Sequence, residues 1–162
     1  MADDINRQRV LNFLDAYYGG DTAAAVKCCA EDMLMMVYLP VELFPHLGPQ
    51  RGHKAVADLM AVQEARYSAR RHEVSHLVAD RHRTAVIVDV AYTKRADGRV
   101  IRLLSGNFFE LRRGLITEIR CFFDTIDWVA QLTGRDLVGP LQREVGSALQ
   151  PPSPTTPLEP TK

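Results

Sequence analysis

The sequence predicts an α+β fold, with helices packed on one face of a curved antiparallel sheet. Three observations predict it. Apolar residues recur at helical spacing in the first third of the chain. Residues 73–123 instead alternate with the two-residue period of strands. Glycine-containing turn signals then divide that second region into a meander.

The elements follow in order. Val10, Phe13, Leu14 and Tyr17 lie at i, i+3, i+4 and i+7, the apolar stripe of a first helix. Gly19-Gly20 ends it, and Asp21-Thr22 stands where a second helix, about Thr22–Ala30, needs an N-cap. Met33–Leu39 reads as a short strand. Pro40, Pro45, Gly48, Pro49 and Gly52 then punctuate a long loop. A third helix spans about His53–Ser68, with Val56, Leu59, Met60 and Gln63 on one face. The strands that follow are Glu73–Ala79, Thr84–Thr93, Arg99–Leu111 and Leu115–Phe123, with turns at Arg95–Gly98 and Arg113-Gly114. A helical segment at about Thr125–Leu132 follows. Residues 1–135 form the expected domain and 136–150 an extension. Residues 151–162, with five prolines among residues 151–160, read as a disordered tail.

Composition narrows the function classes. The chain has 162 residues, 46% hydrophobic and 25% charged, with 20 basic and 20 acidic residues and no formal net charge. No basic footprint for nucleic acid is evident. Arg66–Arg83 holds five arginines and three histidines, but Glu73 and Asp80 interrupt it, and it reads as a solvated or subunit-facing surface. The longest apolar run, Met33–Leu39, is far below the roughly 20 residues of a membrane span. The N-terminus lacks the basic start and apolar stretch of a signal peptide, so a cytoplasmic location is expected. Three cysteines, Cys28, Cys29 and Cys121, have neither disulfide-framework numbers nor zinc-ligand spacing. With no phosphate-binding glycine loop and no nucleophile motif, no cofactor is expected.

Three patterns carry a resemblance. Phe13–Asp21 is a helix ending in Gly-Asp before an alanine-rich helix. Arg51-Gly52-His53-Lys54-Ala55-Val56 is a glycine-led start to the third helix. Gly114–Asp124 is followed by Gln131-Leu132. Together, over roughly residues 5–133, they resemble the NTF2-like superfamily, most closely its SnoaL-like polyketide cyclase and ketosteroid isomerase branch. The resemblance implies a cone: a curved antiparallel sheet closed by three N-terminal helices around one pocket, often in a homodimer. Ketosteroid isomerases shuttle a proton on an aspartate and hold the oxyanion with a tyrosine and a protonated acid. The corresponding positions here are Val37, Phe13 and about Asn107, so ketosteroid isomerase activity is not expected. The Arg-Asp pair of the epoxide-hydrolase branch is replaced by Arg120-Cys121.

Strand alternation then sorts the pocket. By the resemblance, Ile119, Cys121 and Phe123 face it, joined by Asn107, Phe109 and Val88. Phe13 and Tyr17 close it, with Val37, Tyr38 and Trp128 at its wall or edge. Three groups are candidate acids or bases. Asp124 ends the last strand but also sits where the next helix needs a cap. Asp89 points outward in the favoured register. His46, in the proline-rich loop, titrates near neutrality. The resemblance implies one of two functions on a hydrophobic small molecule. The first is cofactor-independent acid/base catalysis on a carbonyl substrate (cyclisation, isomerisation or hydration), with Asn107 at the oxyanion. The second is non-catalytic ligand binding or protein interaction. A buried ionisable group in the pocket separates them. Ile87, Ala91, Leu104 and Phe122 fall on the opposite sheet face and predict a homodimer through it.

Overall fold

The computed structural model describes residues 2–146. It is an α+β structure with one curved, unclosed six-stranded sheet. Helix α1 (Ala2–Gly19) buries Val10, Phe13, Leu14 and Tyr17 against the sheet. Gly20 follows at φ 85°, a backbone conformation that L side chains rarely adopt, so the turn demands glycine. Helix α2 (Thr22–Lys27) is capped by Asp21, whose carboxylate accepts from Ala24 N at 2.9 Å. Next come strand β1 (Cys29–Val37), strand β2 (Gln50–Arg51) and helix α3 (Gly52–Arg66). The meander consists of β3 (Tyr67–Ala79), β4 (Arg83–Lys94), β5 (Val100–Arg112) and β6 (Leu115–Phe123). Strand order is β2-β1-β6-β5-β4-β3; β1 runs parallel to β6 and every other pair is antiparallel. Helices α4 (Thr125–Thr133) and α5 (Val138–Val145) complete the described chain.

Several elements differ from the sequence expectation. The second helix stops at Lys27 and β1 begins at Cys29, four residues before the expected strand. Pairing of Cys29 with Ile116 on β6 overrides the helix propensity of the alanine-rich run. Strand β3 begins at Tyr67 rather than Glu73, because Tyr67 already opposes Lys94 of β4. Its charged residues hide the strand period, and such charges suit a sheet edge. Helix α5 was not anticipated, since Gly139-Pro140 reads as a breaker. Proline is tolerated in a first turn, where its missing N–H has no helical partner. The Pro-rich tail lies outside the described residues.

Turns and caps hold the later elements in place. The β5–β6 turn has Arg113 at φ 54° and Gly114 at φ 75°, the two positive values of a type I′ hairpin. Helix α4 is tied to the sheet by Gln131. Its Oε1 accepts from Arg102 N and its Nε2 donates to Arg102 O, both at 2.8 Å. Strand β6 stops opposite Ser105, so this side-chain amide extends the ladder along an otherwise bare stretch of β5.

Register fixes the two faces. Val86, Val88, Val90, Ser105, Asn107, Phe109 and Ile119 are buried on the inner face. The outer face leaves Ile87, Leu104, Phe108 and Phe122 at 37%, 58%, 53% and 39% exposure, a broad apolar surface. On that face Asp89 is paired across strands with Glu73 on one side and Leu104 on the other.

Candidate functional site

Between the inner face and helices α1 and α3 lies a cavity of about 110 Å³. One water needs roughly 10–15 Å³ on this scale, so the space suits a compact ligand. The sheet contributes Met35, Val37, Tyr92, Ser105, Asn107, Phe109, Ile119, Cys121 and Phe123. Helix α1 contributes Phe13, Leu14, Tyr17 and Tyr18. Helix α3 contributes Leu59, Val62, Gln63 and Arg66, an i, i+3, i+4, i+7 stripe. The loop before β2 adds His46 and Leu47, and Tyr67, Leu103 and Trp128 complete the wall. None of these lining residues is Asp or Glu.

Two polar groupings interrupt the apolar wall. The first is on the sheet. Asn107 lies directly across from Cys121, and Ser105 is two residues away on the same face. Asn107 Nδ2 donates to Ser105 Oγ at 3.0 Å, and Ser105 Oγ lies 3.3 Å from Cys121 Sγ. Burial pushes the Cys121 thiol up to about 11, so it is a neutral thiol rather than a thiolate nucleophile near pH 7.

The second joins the two helices. Gln63 Nε2 donates to Tyr17 Oη at 2.6 Å. Gln63 Oε1 is buried and has no hydrogen-bond partner. Burial drives the Tyr17 and Tyr18 hydroxyls well above their ordinary range, and the neighbouring Tyr92 hydroxyl adds to both shifts. These phenols are therefore neutral hydrogen-bonding groups and not bases. Burial also raises the Tyr67 hydroxyl, while the Arg66 charge and a bond from Trp128 pull it part of the way back.

Of the sequence candidates, the cavity brings together Phe13, Tyr17, Val37, Asn107, Phe109, Ile119, Cys121, Phe123, Trp128 and His46. It does not include four others. Tyr38 is on the outer face, 41% exposed and stacked on Phe122 at 4.2 Å. The residue after an inward Val37 must point the other way. Val88 is fully buried, but it packs within the core rather than on the cavity wall. Asp89 is exposed on the outer face. Asp124 caps α4, its carboxylate accepting from Asp127 N at 2.9 Å.

Sequence reasoning missed Ser105 and Tyr92, although alternation from Asn107 and from Val90 indicates both. It also missed Arg66, which extends the α3 stripe by one turn. Tyr18 and Leu47 had no such signal. Among the described residues, no cluster of three or more side chains is arranged to hold a metal ion.

Comparison with known proteins follows the same architecture. Solved structures share it at low sequence identity. An NTF2-like protein of unknown function from Burkholderia pseudomallei K96243 is 18% identical with a TM-score of 0.72, covering 80% of this chain and 98% of that one. An LEH-like epoxide hydrolase from M. tuberculosis is 19% identical with a TM-score of 0.66, covering 90% and 99%. TerC, co-crystallised with polyporic acid, is 15% identical with a TM-score of 0.72, covering 80% and 98%. No curated protein matches the sequence. The SnoaL-like domain family matches residues 10–119, which include the second half of α1, all of α3 and most of the cavity wall. With more than half of its length so matched, and its sheet and helices arranged as in NTF2-like structures, the chain belongs to the SnoaL-like domain family.

Proposed function

We propose that this protein binds a hydrophobic small molecule in the cavity, with Asn107 and Ser105 hydrogen-bonding its carbonyl or hydroxyl group. The observation that carries this reading is the Asn107–Ser105–Cys121 chain in an apolar wall that holds no carboxylate. An apolar cleft with a few fixed polar groups suits binding of an apolar body in one orientation. Neither Asp89 nor Asp124 stands where it can exchange a proton with such a ligand. The co-crystal of a fold relative with polyporic acid is in keeping with small-molecule binding. Calorimetric titration with acetophenone and ethylbenzene, which differ by the carbonyl, tests the reading. Acetophenone should bind more tightly, and Asn107→Leu should abolish that preference while leaving ethylbenzene unchanged. Failure of both compounds to bind would reject it.

One observation favours a second reading. His46 is the only imidazole among the described lining residues, so a cofactor-independent cyclase, isomerase or hydratase would use it as the proton carrier. The supporting result is turnover of a hydrophobic carbonyl substrate with a pH profile that His46→Gln removes. Turnover unchanged in that variant would reject it.

The same proposal includes a homodimer through the outer sheet face, where Ile87, Leu104, Phe108 and Phe122 are exposed together. Soluble monomers seldom expose an apolar patch of more than a few hundred Å². A cytoplasmic location also belongs to it, in keeping with three free thiols.

A further inference from the structure

Gln63 and Arg66 occupy successive turns of α3 and both face the cavity. Gln63 keeps a buried acceptor without a partner among the described residues, and Arg66 is exposed to solvent where α3 borders the cavity. The Gln63 amide spends its N–H on Tyr17 and leaves Oε1 buried with no donor. A buried acceptor without a partner costs about 1–3 kcal/mol, which a ligand hydroxyl would recover. Arg66 differs from the nearby arginines. Arg70 and Arg95 both pair with Glu64, at 2.6 and 2.8 Å, whereas no ion pair is formed by Arg66 among the described residues. Its charge nevertheless acts on the Tyr67 hydroxyl in the cavity wall. Residues three apart on a helix have Cβ atoms roughly 5–6 Å apart. One compact ligand can therefore reach both with adjacent groups. With no carboxylate in the wall, nothing there repels an anion.

We infer that the ligand is an apolar hydroxy acid, its carboxylate held by Arg66 and its neighbouring hydroxyl donating to Gln63 Oε1. This rests on the proposed binding role of the cavity and adds polar anchors on α3 to those that Asn107 and Ser105 provide on the sheet. Apolar side chains of α3 (Leu59 and Val62) and α1 (Phe13) would cover the body.

Four probes of similar size separate the contributions: salicylate, benzoate, phenol and ethylbenzene, each titrated calorimetrically into the full chain. Salicylate should bind most tightly. Arg66→Met should weaken salicylate and benzoate by roughly five- to tenfold, as for a partly solvated charge-assisted bond, and leave phenol and ethylbenzene unchanged. Gln63→Leu should weaken salicylate and phenol by about tenfold and spare benzoate and ethylbenzene. Gln63→Glu retains side-chain size and keeps the contact by reversing the bond, with the Tyr17 hydroxyl donating to the carboxylate. It should weaken salicylate and benzoate while ethylbenzene still binds, which shows that the cavity is intact. Ethylbenzene binding with no salicylate preference, or a preference untouched by either substitution, would overturn the hydroxy-acid assignment and leave the binding role standing. No binding by any of the four would overturn both.

Discussion

Asn107→Asp tests whether the centre of the site is dry. The side chain is 7% exposed and lies against Ser105 and Cys121, with no cation among its hydrogen-bond partners. A carboxylate there loses water and gains only the Ser105 hydroxyl. Desolvation of this kind raises a carboxyl pKa by up to about 3–5 units when burial is complete; about three is the expected shift here. Each unit corresponds to about 1.36 kcal/mol. The folded pKa then lies near 7 against an unfolded value of about 3.9. The sign follows from linkage: a group raised in the folded state holds its proton there longer, so its stability contribution is present at low pH and lost as pH rises. Between pH 5 and 7 the variant should lose about 2.2 kcal/mol relative to the wild type at the same pH, and about 4 kcal/mol across the whole window. Urea denaturation of both proteins at pH 5, 6, 7 and 8 measures the difference. A constant difference across that range would mean that water reaches Asn107 and that the dry-site reasoning is wrong.

Three further outcomes are expected. Gln131→Leu removes two bonds to the β5 backbone and should cost about 2 kcal/mol, lowering Tm by about 4–8 °C, with faster hydrogen exchange at the Arg102 amide; an unchanged Tm and exchange rate would show that the amide clamp adds nothing. Phe122→Glu places a charge on the outer apolar face and should convert a dimer of twice the chain mass into a monomer by light scattering, whereas a wild-type monomer would remove the premise. Burial pushes the Cys29 thiol up to about 12 and that of Cys121 to about 11, so at pH 8 iodoacetamide should modify both slowly until urea is added; rapid labelling of the native protein, read by mass spectrometry, contradicts their burial.

Local pattern was enough to locate the first four helices and most of the sheet. Val10, Phe13, Leu14 and Tyr17 can share a face only in a helix, and Val86, Val88 and Val90 can do so only in a strand. Turn chemistry placed the Arg113-Gly114 hairpin, because few residues accept two successive positive φ angles. Alternation grouped Ile119, Cys121 and Phe123 on one face and Asn107 with Phe109 on another strand's, and the resemblance to SnoaL-like proteins turned that face inward, where all five line the cavity. Where pairing partners lie far away in sequence, local pattern failed. Strand β1 begins at Cys29 because β6 offers a parallel neighbour there, and β3 extends back to Tyr67 because β4 reaches Lys94.

The amino-acid order by itself determined the α+β class, the helix that carries Phe13 and Tyr17, and which residues share a strand face with Asn107. These depend on periodicity, which is a property of neighbouring residues. Folding in three dimensions settled which polar groups meet. It brought Gln63 to Tyr17 across 46 positions and Ser105 to Cys121 across 16, assigned Asp124 to a helix cap, and turned Tyr38 outward onto Phe122. A side chain's partners depend on the packing of whole elements, and no local pattern encodes the distance between two helices or the solvent left between a helix and a sheet.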